Sequence, residues 1–348
     1  MPVSKAKVLI LTDPHLHKNN LVEVRSVFIQ ALEKAKELGL KSVHCAGDIF
    51  DSRQAQSERV LNAFEDILDE YAEHDMNLIA IAGNHDKTDY TSYSSYLRVY
   101  KHHPAFTYVE KGGAGLFGTF ALVMFPYIRE DMYNDELKKA IKIAKETTKD
   151  LPMILLTHIA VNGVVNNDKT LIENDLDGDK FKAFNKVLVG HYHDKSRLGK
   201  NIYYIGACRQ MNYGETPDKG FVVVNDDMSL DHIVAEFPLY ISMKVNLSDG
   251  IDETIKKAKV ELKKGNHVRV VASGTKEEVN ALDKQRFYSV GIDLKVNADD
   301  ITVDLNYLDN VNYSRLTSEE IKDEFGIFAK RQKIKDPDKG LNYLKKVL

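Results

Sequence analysis

Short apolar runs that stop abruptly at polar residues recur through the first half of the chain and slightly beyond. "KVLILTD", starting at Lys7, reads as a buried strand, and so do "KSVHCAGD" and "NLIAIAGNHD". Helical periodicity fills the gaps. Over 20–39, Val24, Phe28, Ala31, Leu32, Ala35 and Leu38 fall on one face, and Gly39 stops the helix. Over 57–74, the face is Val60, Leu61, Phe64, Ile67, Leu68 and Tyr71. Strand alternating with helix predicts a parallel sheet covered by helices. Further strands are predicted at "FALVMFPY", "MILLTH", "KVLVGHYH", "NIYYIGA" and "GFVVVN", with a helix, "DELKKAIKIAKETTK", between the first two. The crowding of strands after residue 185 predicts a second sheet stacked on the first. The expected fold class is therefore α/β, a two-sheet sandwich flanked by helices.

The texture changes near residues 236–243. From there to about residue 300 the pattern is β-α-β-α-β with many lysines on its helices, a small α/β module. A polar connector then leads to "TSEEIKDEFGIFAKRQ" and "DPDKGLNYLKKVL", two short amphipathic helical segments. The expected division is a catalytic domain over 1–238, the module over 239–302, and a linker with a helical tail over 303–348.

A hydrophobic content of 43% is ample for a core, while the net charge of −4 is unlike a chain that binds nucleic acid through its overall charge. Any such binding needs a local basic patch or metal ions. Cys45 and Cys208 stand outside any CxxC and read as free, buried thiols. No apolar stretch approaches the length of a bilayer span, and the N-terminus lacks a signal-peptide pattern. The expected setting is cytoplasmic, without a membrane, in a prokaryotic cell or a phage-infected host.

Candidate chemistry gathers at the strand ends. The first strand delivers Asp13 and His15, the second Asp48, and the third Asn84, His85 and Asp86; "MILLTH" delivers His158 and "VLVGHYH" delivers His191 and His193. Ligands of α/β sheets bind at the carboxyl ends of strands. Imidazoles and carboxylates together suit Mn, Fe or Zn. A pair of ions needs a bridging group, and Asp48 is the natural one. In an extended chain, residues two apart point the same way, so Asp13 with His15, and His191 with His193, can each grip one place. Gly47, Gly83 and Gly190 let the backbone turn tightly there. Each fragment alone also fits surface turns; the ordered series DxH, GD, GNHD, TH and GHxH does not.

That series resembles the calcineurin-like metallophosphoesterases. The resemblance implies one ion on Asp13, His15, Asp48 and His193, and another on Asp48, Asn84, His158 and His191. It implies that His85 binds no metal but stabilises the scissile phosphate and helps protonate the leaving oxygen, with Asp86 orienting it. Within the superfamily, "GDIFDSRQAQ" resembles the second motif of the SbcD nucleases, the meiotic recombination eleven family of double-strand-break repair. "YIGACRQMNYGETPDKGFVVV" resembles that family's "Y-x-G-S … E … KGF" segment, with Ala207 and Cys208 departing from it.

By that resemblance the enzyme would be a DNA nuclease, a 3′-to-5′ double-strand exonuclease and single-strand endonuclease. It would use two divalent ions, manganese with magnesium as the alternative, and work with an SbcC-type coiled-coil ATPase in end processing and repair. The tail residues Ile321, Phe325, Ile327, Phe328, Leu341, Tyr343 and Leu344 would dock on that partner. Lys256, Lys257, Lys259, Lys263, Lys264 and Arg269 are candidate DNA contacts, or a merely solvated face. Tyr90, Tyr93, Tyr96 and Tyr100 fall near one helical face and would form a homodimer interface, or pack on the core. "GAGLFG" at 113–118 is a hairpin turn rather than a dinucleotide loop, because a strand follows it. "DLDGDK" at 175–180 lacks the terminal glutamate of a calcium loop. The competing functional readings are a stand-alone phosphodiesterase of nucleotides or small esters, and a non-catalytic scaffold.

Overall fold

The computed structural model describes residues 5–148, 151–167 and 169–298, together with Phe325, Gly326 and Ala329. Strands β1 (Ala6–Leu11), β2 (Ser42–Cys45), β3 (Asn77–Ala80) and β4 (Phe106–Tyr108) lie side by side in parallel. Helices α1 (Leu21–Glu37) and α2 (Glu58–Glu73) carry the chain back between the first three. The second sheet contains β5 (Gly113–Leu116), β6 (Ala121–Phe125), β7 (Met153–His158), β8 (Lys186–Gly190), β9 (Ser196–Leu198) and β10 (Ile202–Tyr204), in the order β5-β6-β7-β8-β10-β9. Helix α3 (Glu130–Thr148) connects β6 to its parallel neighbour β7. The chain then returns to the first sheet. β11 (Gly220–Asn225) pairs antiparallel with β1, and β12 (Leu230–Val234) with β11.

The strand sequences explain the layering. Successive side chains of a strand point to opposite faces. In β1, Leu9 and Leu11 pack with Val24, Phe28 and Phe64 of the covering helices, while Val8 and Ile10 face the other sheet and meet Leu122, Ile154 and Leu188. In β6, Val123 and Phe125 pack with Tyr133 and Leu137 of α3, and Leu122 and Met124 turn inward. Both faces of these strands are buried, which is why they read as unbroken apolar runs. The predicted helical faces are the buried ones except at Leu38 and Leu61, which are half-buried; Val27 joins the α1 face, and Leu38 caps that helix.

Three expectations change. The second sheet begins at β5, well before residue 185, and "GFVVVN" belongs to the first sheet. Strands β4, β9 and β12 are short or weakly patterned, and the sequence carries little signal for them. The tyrosines near 90–100 do not share a helical face, since only Tyr96–Tyr100 is helical, and it is 3-10. Tyr100 is buried beside Phe64 and Phe106, with its hydroxyl donating to the Leu61 carbonyl at 2.9 Å. Tyr96 packs on that same core, whereas Tyr90 and Tyr93 pack on the α3 side. "GAGLFG" does form a hairpin, with Leu116 opposite Ala121.

Beyond residue 239 the elements are β13 (Tyr240–Asn246), α4 (Asp252–Lys263), β14 (His267–Gly274), α5 (Lys276–Ala281), α6 (Gln285–Tyr288) and β15 (Asp293–Ala298), in the predicted β-α-β-α-β order. The described residues fall into two compact units. One comprises the catalytic fold to Met243 with Asp252–Val270 and Arg286–Asp293; the other comprises Lys244–Ile251, Val271–Gln285 and the described residues from Leu294. In the first unit, His267 Nε2 lies 3.1 Å from Glu23 and its ring stacks on Tyr240. In the second, Thr275 and Glu278 close a capping box at the start of α5.

Candidate metal centre

Five strand ends deliver the site. Asp13 and His15 follow β1, Asp48 follows β2, and Asn84 to Asp86 follow β3; His158 ends β7, and His191 and His193 follow β8. Asp13, His15, Asp48, His158 and Asn84 are buried. Asp13, His15, Asp48 and His191 all have positive φ, between 48° and 91°, a region that side chains other than glycine rarely occupy. Such strain persists where the surroundings over-determine it, and it concentrates at functional sites. Here the chain leaves each strand sharply and turns its donor inward.

Space is equally tight around the glycines. A Cβ on Gly83 would stand 2.1 Å from Asp48 Oδ1, and one on Gly47, whose φ is +100°, would stand 2.6 Å from the Gly83 nitrogen. The two loops approach each other closely beside Asp48.

The predicted donors converge. Ligand atoms of Asp13, His15 and His193 lie within 4.8 Å of one another, as do those of Asp48, His158 and His191. Asn84 Oδ1 is 3.1 Å from His158 Nε2 and 2.9 Å from His191 Nδ1. Asp48 Oδ2 lies 3.2 Å from His158 Nε2 and 3.6 Å from His15 Nε2, so it stands between the two groups. Its other oxygen accepts the His85 backbone N–H at 2.8 Å. His158 Nδ1 donates to the Ala46 carbonyl at 2.8 Å, which turns Nε2 toward the cluster.

Electrostatics bind the same groups together. Burial alone would raise the Asp13 carboxyl, but His15, His158 and His193 outweigh it and hold it at about 2. Burial would likewise raise Asp48, and His158, His15 and His85 hold it well below the usual carboxylate range. Burial opposes charge on His15, yet Asp13, Asp51 and Asp48 carry it to about 10. His191 is pushed down to about 3 by burial and by His158.

These donors fit a pair of divalent cations. Both ring nitrogens of buried His15 lack a hydrogen-bond partner. Its nearest acids, Asp51, Asp48 and Asp13, stand 3.4, 3.6 and 3.8 Å away. A cation between these groups would satisfy them, and imidazole with carboxylate is the donor set of such ions.

A model of the calcineurin-like phosphoesterases matches residues 6–195. The chain belongs to that family. Members use dimetal centres, in keeping with the His and Asp clusters here. This calcineurin-like phosphoesterase is similar to "Putative phosphoesterase 244L" of Invertebrate iridescent virus 6, with 22% identity covering 82% of this chain and 99% of that protein. It is also similar to "Putative phosphoesterase 078R" of Invertebrate iridescent virus 3, with 20% identity over 82% and 81% of the two chains. Among solved structures, a dimetal phosphatase from Danio rerio aligns with a TM-score of 0.42 and 10% identity, over 64% of this chain and 93% of that one. The Pseudomonas putida nuclease MPE aligns with a TM-score of 0.26 and 15% identity, over 48% and 68%.

One expected role is corrected. Asp86 does not touch the His85 ring: its carboxylate accepts the backbone N–H groups of Phe50 at 2.9 Å and Gly83 at 2.8 Å. It straps the second and third strand ends together. The His85 ring is held otherwise, with Nδ1 against the Asp51 carbonyl and Nε2 2.7 Å from the Arg53 guanidinium. Arg53 lies within "GDIFDSRQAQ", but no periodic or spacing signal singles it out there. Glu215, which contacts His193, was visible only as one letter of a longer motif.

The remaining candidates are distributed as follows. Lys256, Lys257, Lys259, Lys263 and Lys264 are exposed on or just beyond α4. Lys264 pairs with Glu261, and Arg269 pairs with Asp293 at 2.6 Å while lying over the Tyr213 ring. Phe325 is half-buried; Ile321, Ile327, Phe328, Leu341, Tyr343 and Leu344 lie outside the described residues. No helix among the described residues is long and apolar enough to cross a membrane.

Proposed function

We propose that this phosphoesterase is a metal-dependent DNA nuclease, cleaving duplex ends 3′ to 5′ and nicking single strands, in concert with an SbcC-type coiled-coil ATPase. Asp13, His15, Asp48 and His193 would hold one ion, and Asp48, Asn84, His158 and His191 the other, with manganese the favoured metal and magnesium the alternative. Two such ions supply positive charge that polarises a phosphoryl group and acidifies water. The protein's own part is to keep the donors converged and to present His85 and Arg53. Arg53 offers a fixed charge and planar donors to phosphate oxygens. His85 offers an imidazole for proton exchange at the leaving oxygen.

The observation that carries the nuclease reading over a simple esterase is the appended β-α-β-α-β segment, whose first helix exposes a row of lysines. Such a row offers counter-charge to the successive phosphates of a polyanion, which a small diester lacks. The "GDIFDSRQAQ" and "GET…KGF" segments support it. The tyrosine-mediated dimer and the docking tail belong to the same reading, Tyr96, Tyr93 and Tyr90 being the members with partial exposure.

A second reading, a stand-alone phosphodiesterase, is favoured by the pairing of Arg269 and Lys264 with acids of their own chain. The deciding assay supplies manganese and compares end-labelled duplex DNA with bis-p-nitrophenyl phosphate. Nucleotide release from the 3′ end, lost in His85→Ser with metal uptake retained, supports the nuclease. Hydrolysis of the small diester with DNA left intact overturns it.

A further inference from the structure

His193 sits in the turn beyond β8, and its ring is set by a segment distant in sequence. Its Nδ1 lies 2.8 Å from Glu215 Oε1. The Glu215 side chain is only 6% exposed. Its oxygens also accept Asn212 Nδ2 at 2.7 Å and the Met211 backbone N–H at 2.9 Å. Four residues on, the buried Lys219 ammonium donates to the His193 carbonyl and to Asp194 Oδ1. It also stands 3.9 Å from Glu215 Oε2. One short stretch, Met211–Lys219, thus grips both the backbone and the ring of His193.

Both Glu215 oxygens already accept an N–H, Oε1 from Asn212 and Oε2 from Met211, so His193 meets Oε1 as a donor through Nδ1, which leaves Nε2 as a lone pair for the Asp13–His15 group. We propose that Glu215 is a positioning residue that fixes the ring hydrogen and the aim of His193, and that Lys219 secures the carboxylate's loop. This rests on the dimetal reading above. The two halves of the centre would then be held by different means: His158 by the backbone carbonyl of Ala46, His193 by the Glu215 side chain. Partners of this kind typically change metal affinity by about 10- to 100-fold.

The isosteric variant Glu215→Gln separates the effects. Its amide places an N–H₂ against either the Met211 N–H or His193 Nδ1, and the latter forces the hydrogen onto Nε2. Manganese is titrated into metal-free full-length protein, and the free ion is followed by electron paramagnetic resonance. Wild type is expected to take up two ions. Glu215→Gln is expected to take up one as before and the other about 10- to 100-fold more weakly, with the melting temperature of the metal-free protein little changed. Two ions bound as in wild type would overturn the inference. A wild type that takes up none overturns the dimetal reading, and this inference with it. Nitrogen-15 spectra of the metal-free wild type add a measurement that needs no variant: the hydrogen on His193 Nδ1 supports the inference, and on Nε2 refutes it.

Discussion

His44 should make the fold acid-sensitive by an amount that one substitution removes. It lies on β2, where alternation turns its side chain toward the second sheet, among Ile79, Phe117, Leu122 and Met124. The residue is 1% exposed, and its Nδ1 has no partner. Burial, only partly offset by a hydrogen bond to Leu9, lowers its pKa from 6.5 to about 4. The unfolded chain therefore takes up the proton first as pH falls, and each such proton favours unfolding. The contribution of His44 is constant above about pH 7 and declines below about 6.5, where the unfolded imidazole titrates; the loss levels off near pH 4. Linkage puts that loss at about 2 kcal/mol between about pH 8 and pH 5. The assay is urea unfolding of metal-free wild type and His44→Phe at those two pH values, read by circular dichroism. Groups outside the pair titrate alike in both proteins and cancel in the difference. Phenylalanine keeps the edge contact with Phe117, whose ring lies 5.6 Å away. The difference in unfolding free energy between the two proteins should shift by about 2 kcal/mol toward the variant at the acid pH. An equal pH dependence in both would refute the argument that this imidazole is buried and neutral.

Other consequences are equally open to measurement. Gly83→Ala places a methyl 2.1 Å from Asp48 Oδ1; it should cost about 1–3 kcal/mol in unfolding free energy and abolish tight manganese uptake by isothermal titration calorimetry. Arg53→Ala, which removes the guanidinium 2.7 Å from His85, should lower kcat/KM by about 10²-fold on a phosphodiester, and Lys should restore only part of it; unchanged turnover would exclude Arg53 from the site. Adding manganese to chelator-treated protein at a hundredfold excess over Kd should raise stability by about 2.7 kcal/mol per ion, visible as a higher Tm that His15→Ala largely suppresses.

The fold class was legible in the sequence, and so were the residues that gather at the strand ends; the order of the strands within the two sheets was not. Strand-end residues such as Asp13, Asp48 and His158 stand out only as members of the ordered series DxH, GD, GNHD, TH and GHxH, since each alone also fits a surface turn. The registry of sheets is different: "GFVVVN" and "KVLVG" look alike as sequences, yet one lies beside β1 and the other beside β7. Only long-range pairing separates them. Asp86 was misassigned for a related reason, since adjacency to His85 in sequence suggested contact, while a backbone turn sends its carboxylate to Phe50 and Gly83. Arg53 and Glu215 reach His85 and His193 from loops brought near by folding, where composition holds no trace of the neighbour. The tyrosines carried a helical spacing that the actual turn does not use, because Asp89, Thr91 and Ser92 close local side-chain hydrogen bonds before Tyr96.

The two sheets contribute unequal shares of the donor shell. Asp13, His15, Asp48 and Asn84 come from the first, and His158, His191 and His193 from the second. An ion held by these residues would act as a rivet through the seam of the sandwich. Sliding one layer past the other by a single residue would pull the rivet's two heads apart, so metal affinity doubles as a gauge of whether the layers are seated in register.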